Sequence, residues 1–329
     1  MSLMTKPADL AYLAAAILAV VVLALVSLFI GVVDVSWATL RADGEDGRAL
    51  QVLLASRIPR TIALILAGSS MAVAGLIMQM MIRNRFVEPT NAGTVESASL
   101  GLLLATLFAP SMPIFGKMLV GAAFAVAGTA LFLRLLRFVP LRDVLMVPLV
   151  GIMLSGVIAA VTTFIGYRFD LLQTLLAWTT GDFSGVLRGR YELLWVAFLL
   201  AIIAYVTADR FTVAGMGRDF TTNLGMNYRA VLAFGLTIVA LVTSVVVVTV
   251  GMIPFLGLVV PNIVSLTVGD NMRRSVPWVS VLGALFVLVC DIIGRVVRAP
   301  YEIPIGTVVG VVGSAMFLYL ILRRPRHAA

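Results

Sequence analysis

A chain of 329 residues in which 61% are hydrophobic and 12% charged departs from soluble domains, where roughly 45–50% are apolar and about 25% charged. Its net charge of +8 is carried by arginines flanking apolar runs, a pattern of membrane topology rather than of a nucleic-acid surface. Ten spans of about 20 residues would occupy about 200 positions, which excludes a sizeable soluble catalytic domain.

Charge-free stretches at 10–33, 61–82, 97–116, 118–133, 144–167, 193–208, 230–269, 275–290 and 303–322 read as spans. The first resembles a signal peptide but exceeds the roughly 7–15 apolar residues of a cleavable one, so it is read as an uncleaved span. The seventh would make a helix about 60 Å long, about twice the hydrocarbon thickness, and Gly251-Met252-Ile253-Pro254 breaks it near its middle. The expectation is an all-α polytopic membrane protein of about ten helices, with residues 1–329 forming one transmembrane domain.

An even count puts both ends on one side, and Arg323-Arg324-Pro325-Arg326 place that side in the cytoplasm. Lys6, Arg137 and Arg142 then lie inside. Arg41, Arg48, Arg57, Arg60, Lys117, Arg168, Arg188, Arg190, Arg295 and Arg298 fall outside, Arg57, Arg60 and Arg295 among them against the positive-inside trend. Two longer polar segments stand out, 34–56 outside and 209–229 inside.

Bond chemistry finds little support. The single cysteine, Cys290, excludes an internal disulfide, and the single histidine, His327, excludes a histidine-rich metal site. The one Gly-Lys pair, Gly116-Lys117, is followed by Met118 and so does not build a phosphate-cradling P-loop. Any nucleotide chemistry must come from a partner.

Gly68, Gly75, Gly93, Gly101, Gly257 and Gly310 lie in or beside spans, where small residues let helices approach closely. Pro89 and Gly93, like Pro254 and Gly257, free backbone polar groups that must be buried in protein or wetted by a cavity. Glu96, an ionisable group near the membrane, is a functional candidate. Asp291 and Arg295 are spaced as a helical i,i+4 pair, a structural arrangement.

Four segments together resemble one family, the FecCD-type permeases of bacterial ABC importers for iron-siderophore complexes, haem and cobalamin. They begin with Ser56-Arg57-Ile58-Pro59-Arg60-Thr61 and run through Gly68, Gly75 and Gln79 to Arg83-Asn84-Arg85-Phe86-Val87-Glu88-Pro89. Gly251 to Asn262 resembles G-x-I-x-F-V-G-L-V-x-P-H, with Asn262 in place of the histidine. Glu302-Ile303-Pro304-Ile305-Gly306 opens the last span. Arg85-Phe86-Val87, replacing the usual P-L-A, resembles the subgroup importing catecholate and mixed-ligand siderophores.

The resemblance implies a type II ABC importer permease that binds no cofactor itself, with ATP and Mg held by a cytoplasmic ABC ATPase. It implies an extracytoplasmic siderophore-binding protein docking on Arg57, Arg60 and Arg295, and a second permease copy, identical or a close paralogue, across a shared pathway. Gln79, Asn91, Thr94, Glu96, Pro254 and Asn262 are candidates for that pathway. The 209–229 segment resembles the family's coupling element, two short helices seated in the ATPase, with Gly217, Thr222 and Leu224 contributing and Gly225 at the turn between them. Haem or cobalamin import is the alternative within the family. An ion-gradient-driven secondary transporter would carry ionisable groups deep within several spans, and an intramembrane enzyme would need paired acids or metal-ligand spacing.

Overall fold

The computed structural model describes residues 7–31, 47–136, 138 and 146–322. Lys6, Arg41, Arg137, Arg142, the tail at 323–326 and His327 lie outside the described residues, as do the side chains of Arg48 and Asn91. The chain is an all-α, multi-pass membrane protein. Its helices are α1 (Pro7–Phe29), α2 (Arg48–Val52), α3 (Ile58–Ile82), α4 (Thr94–Phe108), α5 (Ile114–Leu136), α6 (Met146–Arg168), α7 (Leu172–Thr179) and α8 (Leu193–Val206). They continue as α9 (Ala208–Gly215), α10 (Arg218–Asn223), α11 (Tyr228–Val250), α12 (Leu256–Thr267), α13 (Met272–Val296) and α14 (Ile305–Leu322).

Among the described residues six helices are long and apolar enough to cross a membrane alone, and a seventh span arises if α8 and α9, bent by 67° at their junction, are taken together. The ten expected spans are therefore not all of full length. α4, α12 and α14 are apolar but shorter, because prolines and glycines cut stretches that lack charge. The boundary between the third and fourth stretches shows the error most plainly. Lys117 was expected to separate them, yet it sits in the first turn of α5, and the break falls at 109–113, where Pro110 and Pro113 interrupt the helix. The 230–269 stretch breaks where expected: α11 ends at Val250, Gly251 turns with φ 80°, and α12 resumes at Leu256.

At the centre stands α3. A π-helical turn, Leu53–Arg57, leads into it from α2, and Pro59 occupies its first turn, where its missing N–H costs nothing. Its middle, Ala67-Gly68-Ser69-Ser70-Met71-Ala72-Val73-Ala74-Gly75, is buried throughout, since small residues on every face admit neighbours on all sides. Gly68 meets Gly283 of α13, where a Cβ would fall 2.8 Å from the Gly283 carbonyl oxygen. About two helical turns further in, a Cβ on Gly75 would fall 2.1 Å from the Gly257 carbonyl oxygen of α12. The outer helices α1 and α6 instead leave Leu18, Leu25, Met153 and Phe164 exposed, an apolar surface suited to lipid or to another membrane chain.

One joint is made by backbone alone. After α7, Thr180 pairs with Met252 in an isolated parallel bridge, Asp182 N donates to Val250 O at 2.9 Å, and Gly306 N donates to Gly181 O at 2.8 Å. Three glycines make this approach fit: a Cβ would lie 2.1 Å from Met252 O at Gly181, 2.5 Å from Thr180 O at Gly251 and 2.9 Å from Gly181 N at Gly306. The chain thus ties the ends of α7, α11 and α14 without any side-chain chemistry.

Candidate functional site

At one end of the bundle a buried ionic cluster joins α3 to α13. Asp291 and Arg295 form the i,i+4 pair expected of them, Arg295 Nη2 lying 2.5 Å from Asp291 Oδ2. Arg60 donates from Nε (3.2 Å) and Nη2 (2.7 Å) to Asp291 Oδ1, and from Nη1 to Glu302 Oε2 at 2.7 Å. Two guanidiniums are thereby balanced by two carboxylates. Such balance is what allows charges to be buried at all.

The arginines also close off α1. Arg295 Nη1 donates to Ser27 O (3.0 Å) and Ile30 O (2.8 Å), its Nη2 to Ser27 Oγ (2.5 Å), and Arg57 Nη1 donates to Leu28 O (2.9 Å). The last carbonyls of a helix have no partner within it and carry the negative end of its dipole, so two cations satisfy them doubly. Arg57 and Arg295 are each 7% exposed; of the three arginines expected to face a docking protein, Arg60 alone sits beside a carboxylate that reaches the surface. The clustering was legible only as arginines on the wrong side of the membrane, whereas the α1 contacts have no sequence signal.

The pathway candidates divide by burial. Gln79, buried, donates through Nε2 to Gly257 O (3.2 Å), clasping the α3–α12 crossing. Thr94 is sealed, its hydroxyl sharing a 2.8 Å hydrogen bond with that of Thr129 on α5. Asn262 donates to Arg85 O (2.9 Å) and Leu258 O (2.7 Å), linking α12 to the segment after α3. Pro254 lies at the α11–α12 break, facing Gly310 of α14. Glu96, in the first turn of α4, is part-exposed and faces Ser155 of α6. The backbone of Asn91 belongs to a one-turn helix, Pro89–Asn91.

Glu88 was not singled out by the sequence. It lies in the connector between α3 and α4, 2% exposed, and faces the backbone N–H groups of Phe255 and Gly257 at the start of α12 and the Thr90 hydroxyl. Burial outweighs those contacts and pushes its carboxyl from 4.5 up to about 8. Because the native state then holds the proton more tightly than the unfolded one, stability falls as pH rises from about 4.5 to about 8 and levels off above. Glu88→Gln should remove that slope. Melting of the detergent-purified variant should match the wild type below this window and exceed it above, and parallel curves would place the titration elsewhere.

The opposite end carries the 209–229 segment. Two short helices are present, α9 and α10, but the turn between them is Gly217 (φ 116°), not Gly225. Gly225 (φ 76°) instead closes α10: its N–H donates to Thr222 O (2.9 Å) and that of Met226 to Thr221 O (3.1 Å), a Schellman ending that demands a left-handed residue. Thr221 pins the two helices, donating to Val213 O and Gly217 O. Met216, Phe220 and Leu224 project outward, exposed by 55%, 49% and 57%, and Thr222 is exposed beside them.

Among the described residues no group of three or more His, Cys, Asp or Glu is placed to hold a metal ion. The profile of the FecCD transport family matches residues 18–323. The chain belongs to that family. As a FecCD member it is a multi-pass, non-catalytic transport subunit of the bacterial inner membrane. The petrobactin import system permease protein YclN of Bacillus subtilis (strain 168) is 49% identical over 308 residues, 94% of this chain and 97% of that protein. The petrobactin import system permease protein FatD of Bacillus anthracis is 41% identical over 311 residues, 94% and 91% of the two chains. A solved inward-facing structure of a metal-chelate type ABC transporter superposes with a TM-score of 0.82 at 24% identity, covering 95% of this chain and 99% of that one; this likeness concerns the fold.

Proposed function

We propose that the chain is the permease subunit of a binding-protein-dependent ABC importer for a ferric siderophore of the petrobactin class. The observation that carries this is full-length similarity, 49% and 41%, to two petrobactin import permeases. In this reading the chain is one domain of the type II importer fold, crossing the membrane ten times with the shorter helices α4, α12 and α14 completing the count. Two copies, or this chain and a close paralogue, face one another across the pathway. Pathway contact falls to Pro254, Asn262, Glu96 and Asn91, while Gln79 and Thr94 hold the helices that line it. Arg60, with Arg57 and Arg295 behind it, belongs to the face on which the extracytoplasmic siderophore-binding protein docks.

At the cytoplasmic end the α9–α10 pair, residues 209–229, seats in the ABC ATPase, which holds ATP and Mg. Gly217 and Gly225 set its two turns, while Leu224 and Thr222 make contact. An apolar tip of this kind on a polar segment is a docking device rather than a core. Leu224→Arg should weaken ATPase association by about 2 kcal/mol, roughly thirtyfold. In a strain lacking its own permease, wild type should restore uptake of labelled ferric petrobactin and the variant should not, at equal amounts in the membrane. Full uptake and ATPase co-purification by the variant would refute the coupling assignment; uptake of haem or cobalamin in place of ferric petrobactin would refute the substrate class.

A further inference from the structure

The ionic cluster has a sealed limb and an open one. Asp291 is 1% exposed and Arg295 7%, whereas the side chains of Arg60 and Glu302 retain 13% and 27%. Arg60 is held in place by Asp291 through two of its nitrogens, and its third, Nη1, is spent on Glu302. Glu302 follows α13 on a connecting segment that borders an open cavity of ≈ 470 Å³, lined also by Arg298, Tyr301, Ile303, Pro304 and Thr307. The Arg298 guanidinium lies 5.9 Å from the centre of the Tyr301 ring and has no ion-pair partner among the described residues. The same face exposes Arg188, whose backbone N–H donates to Ala55 O within the π-helical turn, and Arg190.

We propose that Glu302 is an intrachain stand-in for an acidic residue of the docking protein: it occupies Arg60 Nη1 in the undocked permease, and on docking a partner aspartate or glutamate takes its place while Glu302 turns to Arg298 across the cavity. This rests on the reading of Arg60 as a docking residue. Exchange of one carboxylate for another keeps the buried guanidinium paired at every stage, avoiding the cost of an uncompensated charge. Asp291 keeps the fork of Arg60 aimed outward throughout. Arg298 at the cavity, with exposed Arg188 and Arg190 on the same face, matches an acidic protein surface and steers its approach. Without the stand-in, Arg60 would be paired once instead of twice before docking and would bind an acid more tightly.

The test uses the permease–ATPase complex in lipid nanodiscs and the siderophore-loaded binding protein of the same import system, with docking measured at low and high salt. Glu302→Gln should tighten docking by about fivefold at low salt, an effect that fades as salt is raised. Arg60→Lys, which keeps the charge but loses the fork, should weaken docking and abolish the gain from Glu302→Gln in the double variant. Arg298→Gln should weaken docking by removing the second partner of Glu302. If Arg60→Lys docks normally, the docking assignment of Arg60 itself falls. If Arg60→Lys weakens docking but Glu302→Gln leaves it unchanged or weakens it, with melting temperature unaltered, the docking face stands and the exchange is overturned. Normal docking by Arg298→Gln likewise overturns the turn of Glu302 across the cavity.

Discussion

Asp291→Ala should reduce the amount of folded permease recovered from the membrane more than any other single charge removal. It leaves Arg295 buried with no carboxylate and strips Arg60 of two of its three hydrogen bonds, and breaking a buried pair from one side costs about 3–5 kcal/mol. The damage should spread to α1, because Arg295 fastens Ser27 and Ile30. Detergent-solubilised variant should melt well below wild type and cleave readily in the segment after α1. Asp291→Asn, which keeps shape and one acceptor, should fall between the two. A melting temperature within error of wild type for Asp291→Ala would mean that the cluster carries no net stabilisation.

Gly75→Leu should be still more damaging. Even the first carbon of the new side chain would sit 2.1 Å from a backbone carbonyl oxygen of α12 and 2.4 Å from the Gly257 Cα. Backbone cannot rotate away as a side chain can, so the helices must part and the cost exceeds the about 1–3 kcal/mol of ordinary overpacking. Parting them also breaks the Gln79 clasp on Gly257. Gly156→Leu is the matched control, since nothing lies within 4 Å of a Cβ there. Transport and detergent monodispersity should be lost in the first and kept in the second; equal behaviour would show that the α3–α12 crossing tolerates separation.

The legible and illegible parts of this chain differ in kind. The break at Gly251–Pro254 was readable because glycine and proline act locally on the backbone, and the closeness of Gly68 and Gly75 to neighbours was readable because small residues in a span have few other uses. Lys117 misled because absence of charge marks apolarity, not helix ends, and the two prolines before it decide where the helix stops. Gly225 misled in a smaller way: it was expected at the turn between the short helices, whereas Gly217 makes that turn and Gly225 closes α10, both with positive φ, which glycine permits equally at either position. Glu88 and the Thr180–Met252 bridge were beyond reach, since both depend on backbone groups distant in the chain. Arg57 and Arg295 were noticed for their charge, while their contacts with the carbonyls of α1 depend on how three elements meet.

Those carbonyls also impose an order of events on biosynthesis. Arg57 Nη1 reaches Leu28 O from 29 residues downstream, but Arg295 reaches Ser27 O from 268 residues downstream. At about 5–20 residues per second of synthesis, the second fastening arrives roughly ten seconds to one minute after the first helix has entered the bilayer. Until then the end of α1 is held only from the α2–α3 side, by Arg57 and by the Ser27–Thr61 hydroxyl pair, as a provisional clamp that α13 later makes permanent. The first helix made is therefore among the last to be fully locked, and a ribosome stalled before α13 would leave it with the provisional clamp alone.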